Sequence, residues 1–142
     1  MRTLDRIVLH CSATEEGHPF GAAEIRRWHK ARGWKDIGYH YVILLDGTVE
    51  YGRPVDQVGA HVKGHNSTTV GVCYIGGLRH GKPADTMTPE QEVAFLELVY
   101  SLRKSLGYLT VHGHNEYSAK ACPSFVVKDK YPFLNSGHEE QT

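Results

Sequence analysis

The run His112–Phe125 reads HGHNEYSAKACPSF and gathers two histidines, a glutamate, a lysine and a cysteine. Leu109–Val111 before it reads as a β-strand. Side chains alternate along a strand, so His112 and His114 are expected on one face, with Val111 and Gly113 on the other. The chain then turns through Asn115–Ala119 and delivers Lys120 and Cys122, and Pro123 biases Cys122 toward an extended backbone. Imidazole and thiolate are donors that zinc prefers, which makes His114 and Cys122 a candidate ligand pair. A third donor stands far away in the sequence. His10 ends the short β-branched run Ile7–Val8–Leu9. If the first and last strands are neighbours, the two imidazoles converge. His10, His114 and Cys122 then form a His2Cys set with a fourth position for water, the arrangement of a catalytic zinc. A structural zinc would want four ligands, usually from CxxC-type clusters, and the sequence has none.

On spacing alone, other readings stay open. His10 is equally a hydrogen-bonded strand-end histidine, and Cys122 equally a small buried hydrophobe. Cys11 and Cys73 lie in apolar strands and read as core. His112 is two residues deeper than His114 and reads as core or as a supporting partner. Glu116 is a candidate general base, but a loop-ordering carboxylate is the stronger reading.

Elements that would carry these residues follow from patterning. Arg6–Cys11 reads as a buried strand, Ser12–Gly21 as a polar loop, and Ala22–Arg32 as a helix closed by Gly33. Tyr41–Leu45 and Thr48–Gly52 read as a hairpin around Asp46–Gly47, a type I′ turn signal. Pro54–Val58 suggests a helical turn. Gly59–Thr69 reads as a Gly/His/Asn loop, Val70–Ile75 as a strand, and Leu78–Met87 as a polar loop. Thr88-Pro89-Glu90-Gln91 is a helix start with a capping box. The stripe Phe95, Leu96, Val99, Leu102 and Leu106 follows, and Gly107 ends the helix. A short helix after Pro123 is expected to pack through Phe125 and Phe133. The predicted fold is α/β, with a central mixed sheet of about five strands flanked by two main helices and short helical turns.

Composition bounds the function. A chain of 142 residues, 40% hydrophobic and 23% charged, supports one domain with a real core. Residues 1–135 are assigned to that domain and 136–142 to a polar, frayed tail. The 16 basic and 16 acidic residues balance, which removes an electrostatic case for nucleic acid or an anionic membrane. Ten histidines are the compositional oddity; they read either as surface residues or as a reason to search for a metal or proton-transfer site. Three cysteines and no apparent leader argue against a disulfide framework and for synthesis in a reducing cytoplasm. No run reaches transmembrane length.

Four separated stretches then carry a resemblance: IVLHCSAT, HKARGWKDIGYHYVILLDGTVEYGR, GHNSTTVGVCYIGG and KACPSF. Together, from about Ile7 to Phe125, they resemble the phage-type zinc N-acetylmuramoyl-L-alanine amidases of the type 2 amidase family. That family shares its fold with the peptidoglycan recognition proteins. The resemblance implies one zinc per chain held by His10, His114 and Cys122. It implies catalytic roles for Tyr39, in GYHY, and for Lys120, two residues before the cysteine. It further implies cleavage between the lactyl group of N-acetylmuramic acid and L-alanine in peptidoglycan, by a monomeric endolysin that acts on the wall without an additional wall-binding domain. Some phage relatives also bind a phage RNA polymerase, which makes that polymerase a candidate partner.

The chemistry agrees. An amide is a poor electrophile, and its hydrolysis needs an activated water, oxyanion stabilisation and a proton for the leaving amine. Tyr39 and Lys120 are the candidates for the last two tasks, in either division. His40 is expected to face away from Tyr39. The loop Gly59–Thr69 either lines a substrate groove through His61, His65 and Asn66 or simply shapes the fold. Trp28 and Trp34 suggest sugar stacking, but core packing is the favoured reading. Three competing functions remain. A cytosolic muropeptide-recycling amidase would usually carry an aspartate in place of Cys122. A peptidoglycan-binding or regulatory module would lack turnover. A thiol hydrolase using Cys122 and His114 would leave His10 idle.

Overall fold

The computed structural model describes residues 2–136, so the expected tail lies almost wholly outside the described residues. Arg6–Cys11 forms β1, Thr69–Tyr74 forms β5 and Thr110–Gly113 forms β8; β1 lies between the other two, parallel to both. The sheet is completed by β3 (Tyr41–Ile43), parallel to β5, and β4 (Val49–Tyr51), antiparallel to β3. The order is β4-β3-β5-β1-β8, a mixed sheet of five strands.

Alternation along β1 and β5 sends residues to opposite layers. Ile7, Leu9, Val70, Val72 and Tyr74 join the larger core with Phe95, Val99 and Leu102 of α2 (Pro89–Leu106). On the other face, Cys73 and Val42 meet Ala22 and Ile25 of α1 (Ala22–Ala31). A helix thus covers each face, as parallel strands buried on both sides require.

The α2 start matches its sequence signal. Thr88 Oγ1 accepts from the Gln91 amide at 3.0 Å, and the Thr88 amide donates to Gln91 Oε1 at 2.9 Å. Gln91 is fully buried, and its Nε2 donates to the carbonyls of Ile43 and Ile75, pinning the helix to the sheet. The stripe is narrower than expected: Phe95, Val99 and Leu102 are buried, whereas Leu96 and Leu106 are partly buried.

Several local expectations are corrected. The hairpin loop has three residues rather than two. The Gly47 amide donates to Leu44 O at 2.9 Å, and the Leu44 amide to Thr48 O at 2.8 Å. Gly47 sits at φ 89°, while Asp46 is not among the residues at positive φ, so the turn is type I with a glycine bulge. The loop expected over Leu78–Met87 contains most of β6 (Gly77–Arg79) and all of β7 (Lys82–Pro83); β6 pairs with β2 (Thr14–Glu15) on one side and with β7 on the other, in a second small sheet. After Pro123, α3 spans Val127–Lys130; Phe125 packs on the core, but Phe133 is 53% exposed and Tyr131 and Leu134 fill the expected place.

Candidate active site

His10 is the next-to-last residue of β1, on the face away from α2, and its ring centroid lies 4.6 Å from that of His114. The parallel register Ile7↔Val111, Leu9↔Gly113 sets this up, because it carries His10 and His114 to matching heights. A one-turn 3₁₀ segment, His114–Glu116, follows β8. Cys122 then returns across the strand ends, with Sγ 3.8 Å from His10 Nδ1. One donor atom from each of His10, His114 and Cys122 lies within 4.8 Å of the other two. Tetrahedral zinc with nitrogen and sulfur ligands holds its donors about 3.3–3.6 Å apart. The donor types and their spacing therefore fit zinc.

Electrostatics reinforce the fit. Burial, then the neighbouring His61 and His114, holds the His10 imidazole well below its usual range. Burial and Lys120 lower His114 as well. Both rings are thus neutral, the form that binds metal. Cys122 Sγ accepts the Cys11 amide at 3.2 Å, a bond that favours thiolate. Without a cation, the adjacent Cys11 thiol and burial push the Cys122 thiol up.

Tyr39 packs beside this cluster, its ring 5.0 Å from that of His10. Burial, with the thiols of Cys73, Cys122 and Cys11 nearby, holds its phenol well above the usual range, so it remains protonated and a donor. Lys120 is exposed at the rim. A cleft of about 180 Å³ is lined by Tyr39, His114, Lys120 and Cys122 among others. An adjoining groove of about 380 Å³ shares Arg32, His114 and Lys120 with it. No carboxylate lines either cavity.

The other singled-out residues divide. His61 and Asn66 line the groove and His65 does not. His61 is buried, with Nδ1 2.8 Å from His10 Nε2. Asn66 Oδ1 accepts the amides of His61 and Val62, each at 2.9 Å, and so shapes the loop. His65 stacks on Tyr117 at 4.5 Å. Glu116 takes the loop-ordering place: Oε2 accepts the Gly113 amide at 3.0 Å and Oε1 meets His112 at 2.9 Å. His112 is partly exposed with its ring held by Glu116 and Thr110, so it is not core. His40 is buried behind the cleft, with Nδ1 accepting the Gly71 amide at 2.9 Å. Cys73 is core as expected; Cys11 is core and also reaches the cleft.

Trp28 is a correction. It is 38% exposed, stands edge-on to Phe20 and lines the cleft. The buried stripe of α1 runs Ala22, Ile25, His29, and Trp28 falls beside it. Trp34 packs against His29 with ring centroids 4.6 Å apart and the planes tilted by 55°, and lines the groove. His29 escaped the sequence reading. It lies four residues after Ile25, so the signal was a polar residue on an apolar stripe. It lines the cleft, its Nδ1 accepts the Gly38 amide at 2.9 Å, and burial with Arg32 and Arg53 pushes it down to about 4.

The family described as N-acetylmuramoyl-L-alanine amidase matches residues 1–125. The chain belongs to this family. The amidase is 45% identical over 137 residues to an endolysin of Klebsiella phage KP32, covering 94% of this chain and 91% of that protein. It is 44% identical over 125 residues to an endolysin of Escherichia phage T7, with 87% and 83% covered. The solved structure of the N-acetylmuramoyl-L-alanine amidase LysC from Clostridium intestinale superposes with a TM-score of 0.80 at 28% identity, covering 94% of this chain and 87% of that one. Among the described residues, no helix of the amidase is long and apolar enough to cross a membrane.

Proposed function

We propose that this amidase is a phage-type endolysin that cuts peptidoglycan between the lactyl group of N-acetylmuramic acid and L-alanine, using one zinc held by His10, His114 and Cys122. The observation that carries the reading is the convergence of those three donors, two of which, His114 and Cys122, line a cleft together with Tyr39 and Lys120. The carboxylate-free, basic lining suits a stem peptide that bears its own carboxylates.

Zinc would supply Lewis acidity toward water and the scissile carbonyl. The residues do the rest. Neutral His10 and His114 offer lone pairs, and the Cys11 amide supports the charge on Cys122. Tyr39, held protonated, donates a hydrogen bond to the oxygen on which negative charge develops. Lys120, at the rim where a substrate crosses from groove to cleft, adds positive charge at that oxygen or a proton for the departing amine. The aromatic wall of Trp28 and Trp34 offers flat apolar surface to the substrate. On this reading the enzyme is monomeric, made in the host cytoplasm, and meets its substrate at the wall.

Digestion of purified peptidoglycan by zinc-loaded enzyme, with product mass spectrometry and a chelated control, tests the proposal. New L-alanine amino termini on intact glycan strands are expected, and only with metal. Cleavage confined to soluble muropeptides would move the function to recycling. Activity that survives chelation but not thiol alkylation would move it to a thiol hydrolase.

A further inference from the structure

Resting on the zinc reading above, we propose that His61 is a positioning residue: it fixes His10 in the tautomer whose Nδ1 lone pair faces the metal position. The argument runs outward from one backbone carbonyl. Thr69 Oγ1 lies 2.9 Å from His65 O. A carbonyl only accepts, so the single hydroxyl proton of Thr69 points there. Toward His61 Nε2, 3.2 Å away, the same oxygen can then only accept, and His61 Nε2 carries a proton. A neutral imidazole has one N–H, which leaves His61 Nδ1 as an acceptor. That atom faces His10 Nε2 at 2.8 Å. His10 therefore donates from Nε2 and keeps its lone pair on Nδ1, the atom 3.8 Å from Cys122 Sγ.

The surroundings hold the relay in place. His10 is 1% exposed, His61 9% and Thr69 0%, so water has little access to replace any link. The Asn66 carbonyl fixes the backbone that carries His61. Gly71 makes room: a Cβ there would sit 2.7 Å from the His61 ring. With both ring nitrogens engaged inside the protein, His61 acts through His10 rather than on substrate. Metal-binding histidines generally need such an outer partner, and here an imidazole takes the place of the usual carboxylate or carbonyl.

Two measurements on the full chain test this. Long-range ¹H–¹⁵N NMR of the metal-free protein, at a pH where histidines are neutral, is expected to show Nε2–H tautomers for both His10 and His61. Nδ1–H on His10 overturns the proposal. Zinc affinity by competition with a chromogenic chelator is the second readout. His61→Phe is expected to weaken zinc about 10–100-fold. His61→Gln, whose amide oxygen can accept from His10 Nε2–H, is expected to recover most of the loss. Thr69→Val leaves the ring packing intact and keeps the test alive should the phenylalanine variant fail to fold. It is expected to turn the His10 signal into a tautomer mixture and to weaken zinc several-fold. Wild-type affinity and an unchanged His10 tautomer in these variants overturn the inference while the zinc reading stands. Failure of the wild-type chain to take up zinc overturns the zinc reading and the inference together.

Discussion

The two faces of the central sheet are built from the same strands and do opposite work. Toward α2, β1 and β5 present Ile7, Leu9, Val70, Val72 and Tyr74, which bury against Phe95 and Val99. Toward α1, the same strands present His10, Gly71 and Cys73, and around them lie His29, His40 and His61, all buried. The first face is apolar and needs only volume and shape. The second also has an apolar cluster, with Ile25, Val42 and Ile75, but it holds buried imidazoles as well and must satisfy every buried donor and acceptor; among the described residues, no buried side-chain nitrogen or oxygen lacks a partner. On the proposed function the chemistry belongs to the second face alone, and substitutions on the two faces should separate accordingly.

The largest effect should come from the histidine-bearing face. Cys122→Ser is expected to remove zinc from the purified protein and to lower peptidoglycan cleavage by more than about a thousandfold, since a hydroxyl is a much poorer zinc ligand than a thiolate. Its melting temperature without metal should stay near that of metal-free wild type. A large drop there would break the division between the faces.

Phe95→Ala is the counterpart on the α2 face. Phe95 is fully buried, and its truncation is expected to cost about 3–5 kcal/mol in denaturant unfolding. Below the melting transition the variant should keep its zinc and most of its cleavage rate. Tyr39→Phe sharpens the comparison from within the cleft. It keeps the ring beside His10 and deletes one donor, so zinc stoichiometry should hold while kcat falls about 100-fold. Loss of zinc in that variant would give Tyr39 a structural role instead.

A smaller effect appears in pH. His29 and His40 are both pushed down to about 4, chiefly by burial. Unfolded, they would take up protons near their ordinary value of 6.5. Folded pKa values below unfolded ones give stability that is complete above pH 6.5 and lost as pH falls toward 4. The metal-free protein should therefore melt at steadily lower temperature across that window. His40→Gln, which can still accept from the Gly71 amide, should flatten the slope. Smallest is the cap on α2: Thr88→Ala is expected to cost about 1 kcal/mol and to leave cleavage unchanged.

Legibility followed the same division. β-branched runs, the capping box at Thr88–Gln91 and the glycine stops marked most elements of the apolar framework, because these signals are local. Tight backbone geometry was less legible. Asp46–Gly47 suits either a two-residue or a three-residue loop, and the strand ends decided for three. The second sheet went unread because β2 and β7 are two residues each and too short to show alternation. Trp28 looked like core until the helix phase placed His29 on the buried stripe instead.

The sequence by itself determined the donor types, their attachment to strand ends and the family resemblance, since residue chemistry and short-range patterning need no folded context. Only the tertiary structure decided that β8 lies beside β1, in the register that brings His10 to His114 across about a hundred residues of chain. It alone turned Glu116 outward to its loop, and set His61 between His10 and Thr69. Strand order and register arise from packing among residues distant in sequence, and proton direction in a buried relay depends on which carbonyl lies at its end.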